Sequence, residues 1–177
     1  MKSKVITLSA VSSALTAICL TIGVYFEFAD MFCIIISSIF VLLPLYYNSY
    51  KGCILTALIG GVLAFIFSWF NILTIVFPTF LTFFGFFPIL KCYFQDKNFN
   101  KILTFIIGMI WCVAVFYGGY FYYTLIMGLP LSDLPIWLSD NILIFVGLFG
   151  VVFFAIYNRF IVVMRFFLTR TLSRIIK

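Results

Sequence analysis

The stretch LSAVSSALTA, residues 8–17, is rich in small and hydroxyl side chains within a strongly apolar chain. Of the 177 residues, 66% are hydrophobic and 21% are aromatic, whereas only 9% are charged. This composition excludes an ordinary soluble domain and indicates a membrane protein. Apolar helices gain little by leaving lipid for one another, so they associate where small side chains let their backbones approach. The stretch therefore predicts a surface for helix contact early in the chain.

The apolar runs on either side of this stretch predict an all-α integral membrane bundle of six transmembrane helices. A helix rises about 1.5 Å per residue and the hydrocarbon core is about 30 Å thick, so roughly 20 apolar residues make one crossing. An alternative with five spans joins the third and fourth runs, because little polar sequence surrounds Asn71 between them. The six predicted spans are residues 5–26, 32–47, 52–70, 72–94, 102–127 and 140–163.

Charged residues distinguish six spans from five, because cytoplasmic loops of membrane proteins collect Lys and Arg. With six spans and both termini in the cytoplasm, all 11 Lys and Arg fall on the cytoplasmic side, and Asp96 is the one acid of five that joins them. A five-span arrangement breaks this separation. The charges therefore favour six spans, and the net charge of +6 reflects topology rather than nucleic-acid binding.

Few side chains in the predicted spans could carry chemistry. Every charged residue is predicted to lie at a helix end, in a loop or in the tail, the chain has no histidine, and its five cysteines are scattered singly. Membrane enzymes and ion-coupled transporters usually place titratable groups at mid-membrane depth. We therefore expect no enzymatic activity, no metal site and no cofactor, and we expect the cysteines to be small packing residues. If the protein moves a solute, a partner must supply the energy.

The small residues of the opening stretch are spaced for helix contact. Ala10 and Ala14 are four residues apart, as are Ser9 and Ser13, and Ser13 and Ala17. Residues four apart lie on the same side of a helix, and these five side chains are predicted to form one narrow smooth face. Packing against another helix of the same bundle is the ordinary use of such a face, and docking of a separate membrane protein is the alternative.

A six-helix membrane protein of this size with the motif AxxxA near the start of helix one, here AVSSA at 10–14, resembles the substrate-binding S components of energy-coupling factor (ECF) transporters. The resemblance implies a bacterial plasma membrane, and a membrane T component powered by two cytoplasmic ATPases. In that arrangement Ala10 and Ala14 face outward and dock on the T component. The S component captures a vitamin or similar small molecule on its outer side.

Aromatic and acidic side chains at that outer depth are the candidate ligand contacts. Because no Lys or Arg is predicted there, they favour a neutral or cationic molecule that contains a ring. Trp and Tyr also gather at membrane interfaces regardless of function, and an acid at a helix start can be a cap. The candidate substrate-binding residues are Glu27, Asp30, Trp69, Asn71, Tyr120, Tyr123, Asp133, Trp137 and Asn141.

The remaining features concern organisation and the competing functions. The chain is predicted to form a single domain over residues 1–177, with a basic amphipathic tail at about 160–177 suited to the inner leaflet. Pro78 and Pro88, with Gly85 between them, are expected to kink or end helical runs. A structural scaffold resembling the cell-shape factor MreD, which is also small and rich in phenylalanine, is the second candidate function. A flippase subunit is the third and is less favoured.

Overall fold

The chain is helical throughout the part that its structure describes. The computed structural model describes residues 2–69, 75–125, 128 and 141–175, apart from the side chains of residues 2, 27, 169 and 171–175. Within these residues it is 90% helical and has no strand. The prediction of an all-α fold is confirmed.

The helices follow the predicted apolar runs. They are α1 (Lys2–Tyr25), α2 (Asp30–Val41), α3 (Tyr50–Phe67), α4 (Val76–Thr79), α5 (Phe87–Asp96), α6 (Lys101–Leu125) and α7 (Ile142–Ile175). A 3-10 segment, Leu43–Tyr47, extends α2, and a π-helical turn, Phe80–Phe84, follows α4. The described residues thus contain six segments long and apolar enough to cross a membrane, as predicted. The third and fourth runs are separate helices rather than one continuous helix.

Contacts between residues divide the chain into two compact units. The first comprises Met1–Phe99 and Phe160–Lys177, which contain α1 to α5 and the end of α7. The second comprises Asn100–Arg159, which contains α6 and the start of α7. The single domain expected from the sequence stays a prediction.

The last helix is longer than its apolar run indicates. α7 has 34 residues, from Ile142 to Ile175, which is about 51 Å at 1.5 Å per residue. It continues without a break through residue 163, where the predicted span ends. The start of the basic tail is therefore the continuation of α7 rather than a separate helix, and 176–177 lie outside the described residues.

Close contact between α1 and α3 organises the first unit. Ser9 and Ser13 of α1 are buried, and the hydroxyl of Thr56 on α3 donates to the carbonyl of Ser9 at 3.4 Å. Gly60 of α3 leaves no room for a side chain, because a Cβ there would lie 2.7 Å from Cγ2 of Thr16. The small side chains of both helices thus allow the backbones to approach, as membrane helices require.

A cluster of phenylalanines forms the core around the break in the fourth segment. Phe80 and Phe83 are 0% exposed and Phe84 is 1% exposed. The ring of Phe83 stacks on that of Phe87 with centroids 4.9 Å apart and an interplanar angle of 11°. The predicted disruption near Pro78, Gly85 and Pro88 is present, and it consists of the π-helical turn followed by a new helix start.

The second unit is held by α6 and the first part of α7. The hydroxyl of Tyr117 on α6 donates to the carbonyl of Leu143 at 2.9 Å. The aromatic ring of Phe116 packs edge-on against Phe149 at 5.5 Å and Phe153 at 5.3 Å. Cys112 is fully buried. The thiol of Cys112 also donates a weak hydrogen bond to the carbonyl of Gly150 at 3.9 Å, so aromatic packing and hydrogen bonds from side chains to the backbone join the two helices along several turns.

Candidate functional site

The opening stretch of the sequence has two different faces in the structure. Ser9, Ser13 and Ala17 are buried, whereas Ala10 and Ala14 are exposed. Each residue is turned about 100° from its neighbour in a helix. The pair Ala10 and Ala14 follows the pair Ser9 and Ser13 by one residue, so the two pairs point in different directions. The prediction that all five form one face is wrong. The expectation that Ala10 and Ala14 face outward is confirmed, while their docking on a partner stays a prediction.

The exposed face of α1 carries small side chains beside large ones. Val11 is 52% exposed and Ile18 is 54% exposed on the outward side of the helix, close to Ala10 and Ala14. The two alanines therefore form a shallow depression with branched apolar side chains nearby. Such a surface fits lipid tails or an apolar helix that approaches closely.

Several candidate ligand contacts lie at helix ends. Asp30 is the first residue of α2, and its side chain accepts a hydrogen bond from the amide of Met31. Trp69 follows α3 with a positive φ of 55° and an exposed fraction of 86%. Both residues belong to the first unit. Their involvement in a ligand site stays a prediction.

The candidates of the second unit lie near the end of α6 and the start of α7. The ring of Tyr120 packs against Phe121, and the ring of Tyr123 packs against Tyr122. Asn141 immediately precedes α7, and its carbonyl accepts hydrogen bonds from the first turn of that helix. A common pocket for these side chains stays a prediction. The side chain of Glu27 and residues Asn71, Asp133 and Trp137 lie outside the described residues.

The structure assembles a polar cluster that the sequence did not indicate. Asp96, at the end of α5, forms an ion pair with Arg165 of α7 and accepts a hydrogen bond from the hydroxyl of Tyr50 at the start of α3. Nη1 of Arg165 also donates to Oε1 of Gln95 at 3.0 Å and to the carbonyl of Cys92 at 3.4 Å. We call these five residues the Asp96 cluster. It connects three helices of the first unit.

Aromatic rings border the Asp96 cluster. The rings of Tyr50 and Tyr93 meet edge to face at 5.3 Å, and Phe94 stacks on Phe99 at 5.1 Å. The side chains of Arg165 and Asp96 are 25% and 40% exposed. A pair that is this accessible contributes modestly in water, about 0–1 kcal/mol. The bordering rings and the several hydrogen bonds make the cluster a joint between helices rather than an isolated surface pair.

The chemical capacity of this region is limited. A cavity of about 10 Å³, about the room that one water molecule needs, is lined by Leu42, Leu45, Tyr46, Arg165 and Leu168. It is below the roughly 300–1,000 Å³ of typical small-molecule sites. Among the described residues, no group of three or more His, Cys, Asp or Glu side chains could hold a metal ion. The geometry of the Asp96 cluster is therefore that of a structural or conformational contact.

Lys91 differs from the expectation that charges lie at helix ends or in the tail, whereas Arg165 lies in the predicted tail but has partners that were not predicted. Lys91 lies within α5 and is only 4% exposed. Arg165 lies within α7, which continues for ten residues beyond it. The burial of Lys91 was missed because a single Lys near a predicted helix end carries no signal of what packs around it. The partners of Arg165 were missed because Asp96 and Tyr50 are distant from it in sequence.

Comparisons of this chain with protein-family models, with curated proteins and with solved structures find no match.

Proposed function

We propose that this chain is a multi-pass protein of a bacterial plasma membrane with both termini in the cytoplasm. The hydrogen bond from Tyr50 to Asp96 supports this topology. With six spans, the start of α3 and the end of α5 lie on the same side of the membrane. With five spans, the joined crossing would separate Tyr50 from Asp96 by the full bilayer, about 30 Å. The separation of Lys and Arg from the acids supports the same arrangement.

Within that membrane, we infer that the protein is a substrate-capturing subunit similar to the S component of an ECF transporter. The outward position of Ala10 and Ala14 is the observation that carries this proposal. Ser9 and Ser13 already serve contact with α3, so the alanine pair is not needed for packing against that helix. Small side chains on a lipid-facing surface suit close approach by a helix of a second membrane protein. That second protein would be the T component, powered by two cytoplasmic ATPases.

The captured molecule would be a vitamin or similar neutral or cationic compound that contains a ring. Aromatic side chains and acids near the ends of α1 and α3 in the first unit, and aromatic side chains near the end of α6 in the second unit, each support this class. Ring faces attract cations and stack on planar groups, and carboxylates attract cations. Asp30, Trp69 and Tyr120 are the described residues to substitute first. The protein would have no catalytic activity of its own, and its work would be to bind and present the molecule.

Affinity purification of the tagged chain from its native membrane tests the docking assignment. Ala10→Trp and Ala14→Trp should abolish copurification of a membrane partner and two ATPases, because an indole fills the depression that the partner helix would enter. Val11→Trp is the matched control, since Val11 is 52% exposed on the same helix and already large. All three variants should remain folded. Retention of the complex by both alanine variants would refute the docking assignment.

Ligand capture is tested separately on the purified chain. Small molecules released by denaturation are identified by mass spectrometry, and a panel of vitamins, vitamin precursors and aromatic amino acids is screened for a rise in the melting temperature. A bound compound should raise the melting temperature in the wild type and less in Trp69→Ala. An empty protein that no compound stabilises would favour the structural scaffold instead.

A further inference from the structure

The fourth membrane-length segment is interrupted by a turn that can act as a hinge. The amide of Gly85 donates to the carbonyl of Phe80 at 2.7 Å, which is the wide hydrogen bond of a π turn. The amide of Phe86 then bonds back to the carbonyl of Phe83 at 3.2 Å, and α5 begins at Phe87. Helices bend where their regular hydrogen-bond ladder is interrupted, and π turns are frequent at functional sites. We call residues 80–86 the hinge.

The far end of α5 is tied to two other helices by the Asp96 cluster. Asp96 is the last residue of α5, and its carboxylate contacts Arg165 of α7 and Tyr50 of α3. Gln95 and the carbonyl of Cys92 on the same helix also bind the guanidinium of Arg165. All of these contacts sit in the last five residues of α5. The half-helix is therefore bounded at one end by a turn that interrupts the regular hydrogen-bond ladder and is held at the other end by polar contacts.

The position of α5 also buries groups near this polar end. Lys91 is 4% exposed, and Cys53 of α3 and Cys92 of α5 are both 0% exposed. The two thiols lie on α3 and α5, which contact one another. The packing around α5 thus keeps these three side chains from water near the end of α5 that carries Asp96.

A modest change of angle at the hinge would open this contact. α5 has 10 residues, so it extends about 15 Å from the hinge to Asp96. A bend of about 20°, the size that marks a sharp kink, would move Asp96 by about 5 Å. That movement exceeds the reach of a hydrogen bond. We call the observed position of α5 closed and the displaced position open.

From these contacts we propose that α5 is a hinged half-helix, which bends at residues 80–86 and is latched onto α3 and α7 by the Asp96 cluster. Release of the latch opens the contact between α3 and α5 at the end of the unit that carries Asp96. This device concerns the chain alone and goes beyond the proposed function, because it requires neither a partner nor a captured molecule.

Labelling of the native thiols tests the latch. Cys53 and Cys92 lie near the polar ends of their helices, so a water-soluble maleimide should reach them when α5 opens. In Asp96→Asn and in Arg165→Gln, we expect both thiols to react about two- to five-fold faster, the change in population that the loss of up to about 1 kcal/mol produces. The reversed pair Asp96→Arg with Arg165→Asp should restore slow labelling. Lys97→Gln, which removes an exposed charge beside the latch, should label like the wild type.

Two results would overturn the proposal. Unchanged labelling of Cys53 and Cys92 in both latch variants would show that the Asp96 cluster does not hold α5. An equal rise in the labelling rate of Cys112, which is fully buried in the second unit, would show that the whole protein has loosened rather than that α5 has opened.

Hydrogen exchange separates a rigid swing from local unfolding. If α5 swings about the hinge, its own backbone hydrogen bonds persist, and the amides of Phe87–Asp96 should stay protected while the thiols become reactive. If the end of α5 unfolds, exchange and labelling should rise together. The second pattern would overturn the hinge.

Discussion

Gly60→Ala should destabilise the protein by pushing α1 away from α3. A Cβ at residue 60 would lie 2.7 Å from Cγ2 and 2.8 Å from Cβ of Thr16. Thr is branched at Cβ and has little rotamer freedom in a helix, so the Thr16 side chain cannot rotate away from the added Cβ and the helices must separate. Overpacking of this kind lowers the free energy of unfolding by about 1–3 kcal/mol. The higher helix propensity of Ala than of Gly raises it by up to about 1 kcal/mol.

Two other glycines supply matched controls for this substitution. At Gly61 the added Cβ would meet the end of the flexible Leu81 side chain at 2.9 Å, which can move aside. At Gly118 it would meet nothing within 4 Å. All three residues lie within helices, so the helix-propensity gain is similar. We expect Gly118→Ala to be neutral or stabilising, Gly61→Ala to be intermediate, and Gly60→Ala to be the least stable.

Equilibrium unfolding of the purified variants in mixed micelles, followed by circular dichroism, measures these differences. Gly60→Ala should fall below Gly118→Ala by about 1–3 kcal/mol in the free energy of unfolding. If Gly60→Ala is as stable as Gly118→Ala, then α1 and α3 do not approach as closely as the contact with Thr16 requires, and the account of the first unit given above is wrong.

Two further predictions concern the core of each unit. Tyr117→Phe removes the hydrogen bond to the carbonyl of Leu143, and it should lower the free energy of unfolding by about 0.5–1.5 kcal/mol when measured in the same micelles. An unchanged stability would mean that the hydroxyl contributes nothing to the contact of α6 with α7. Phe83→Ala empties a fully buried position and should cost about 3–5 kcal/mol, whereas Phe166→Ala, at a side chain that is 67% exposed, should cost far less. Equal losses in thermal unfolding would contradict the burial of Phe83.

Much of the architecture could be predicted from local properties of the sequence. Apolar runs of sufficient length predict helices wherever they occur, because a helix satisfies its own backbone hydrogen bonds in lipid. The outward position of Ala10 and Ala14 was also predicted, although the adjacent Ser9 and Ser13 were wrongly placed on the same face. Small residues indicate a surface that another helix can approach closely, but they do not indicate which helix it is.

The Asp96 cluster shows why other features could not be predicted. Tyr50 and Arg165 are 46 and 69 residues from Asp96 in the chain. In the sequence, Asp96 is only an acid in a basic loop. The burial of Lys91 has the same origin, since it depends on helices that pack around α5. Such contacts depend on the relative positions of helices, and no local pattern encodes those positions.

The sequence by itself thus determined the six apolar helical segments of membrane length in the described part of the chain, because hydrophobicity and length act within each segment. Only the tertiary structure decided which small residues meet α3, where the fourth segment breaks into a π turn and a new helix, and which charges pair. The physical reason is that helix formation satisfies hydrogen bonds between residues four apart, whereas packing and ion pairing join side chains from separate helices whose alignment depends on the whole unit.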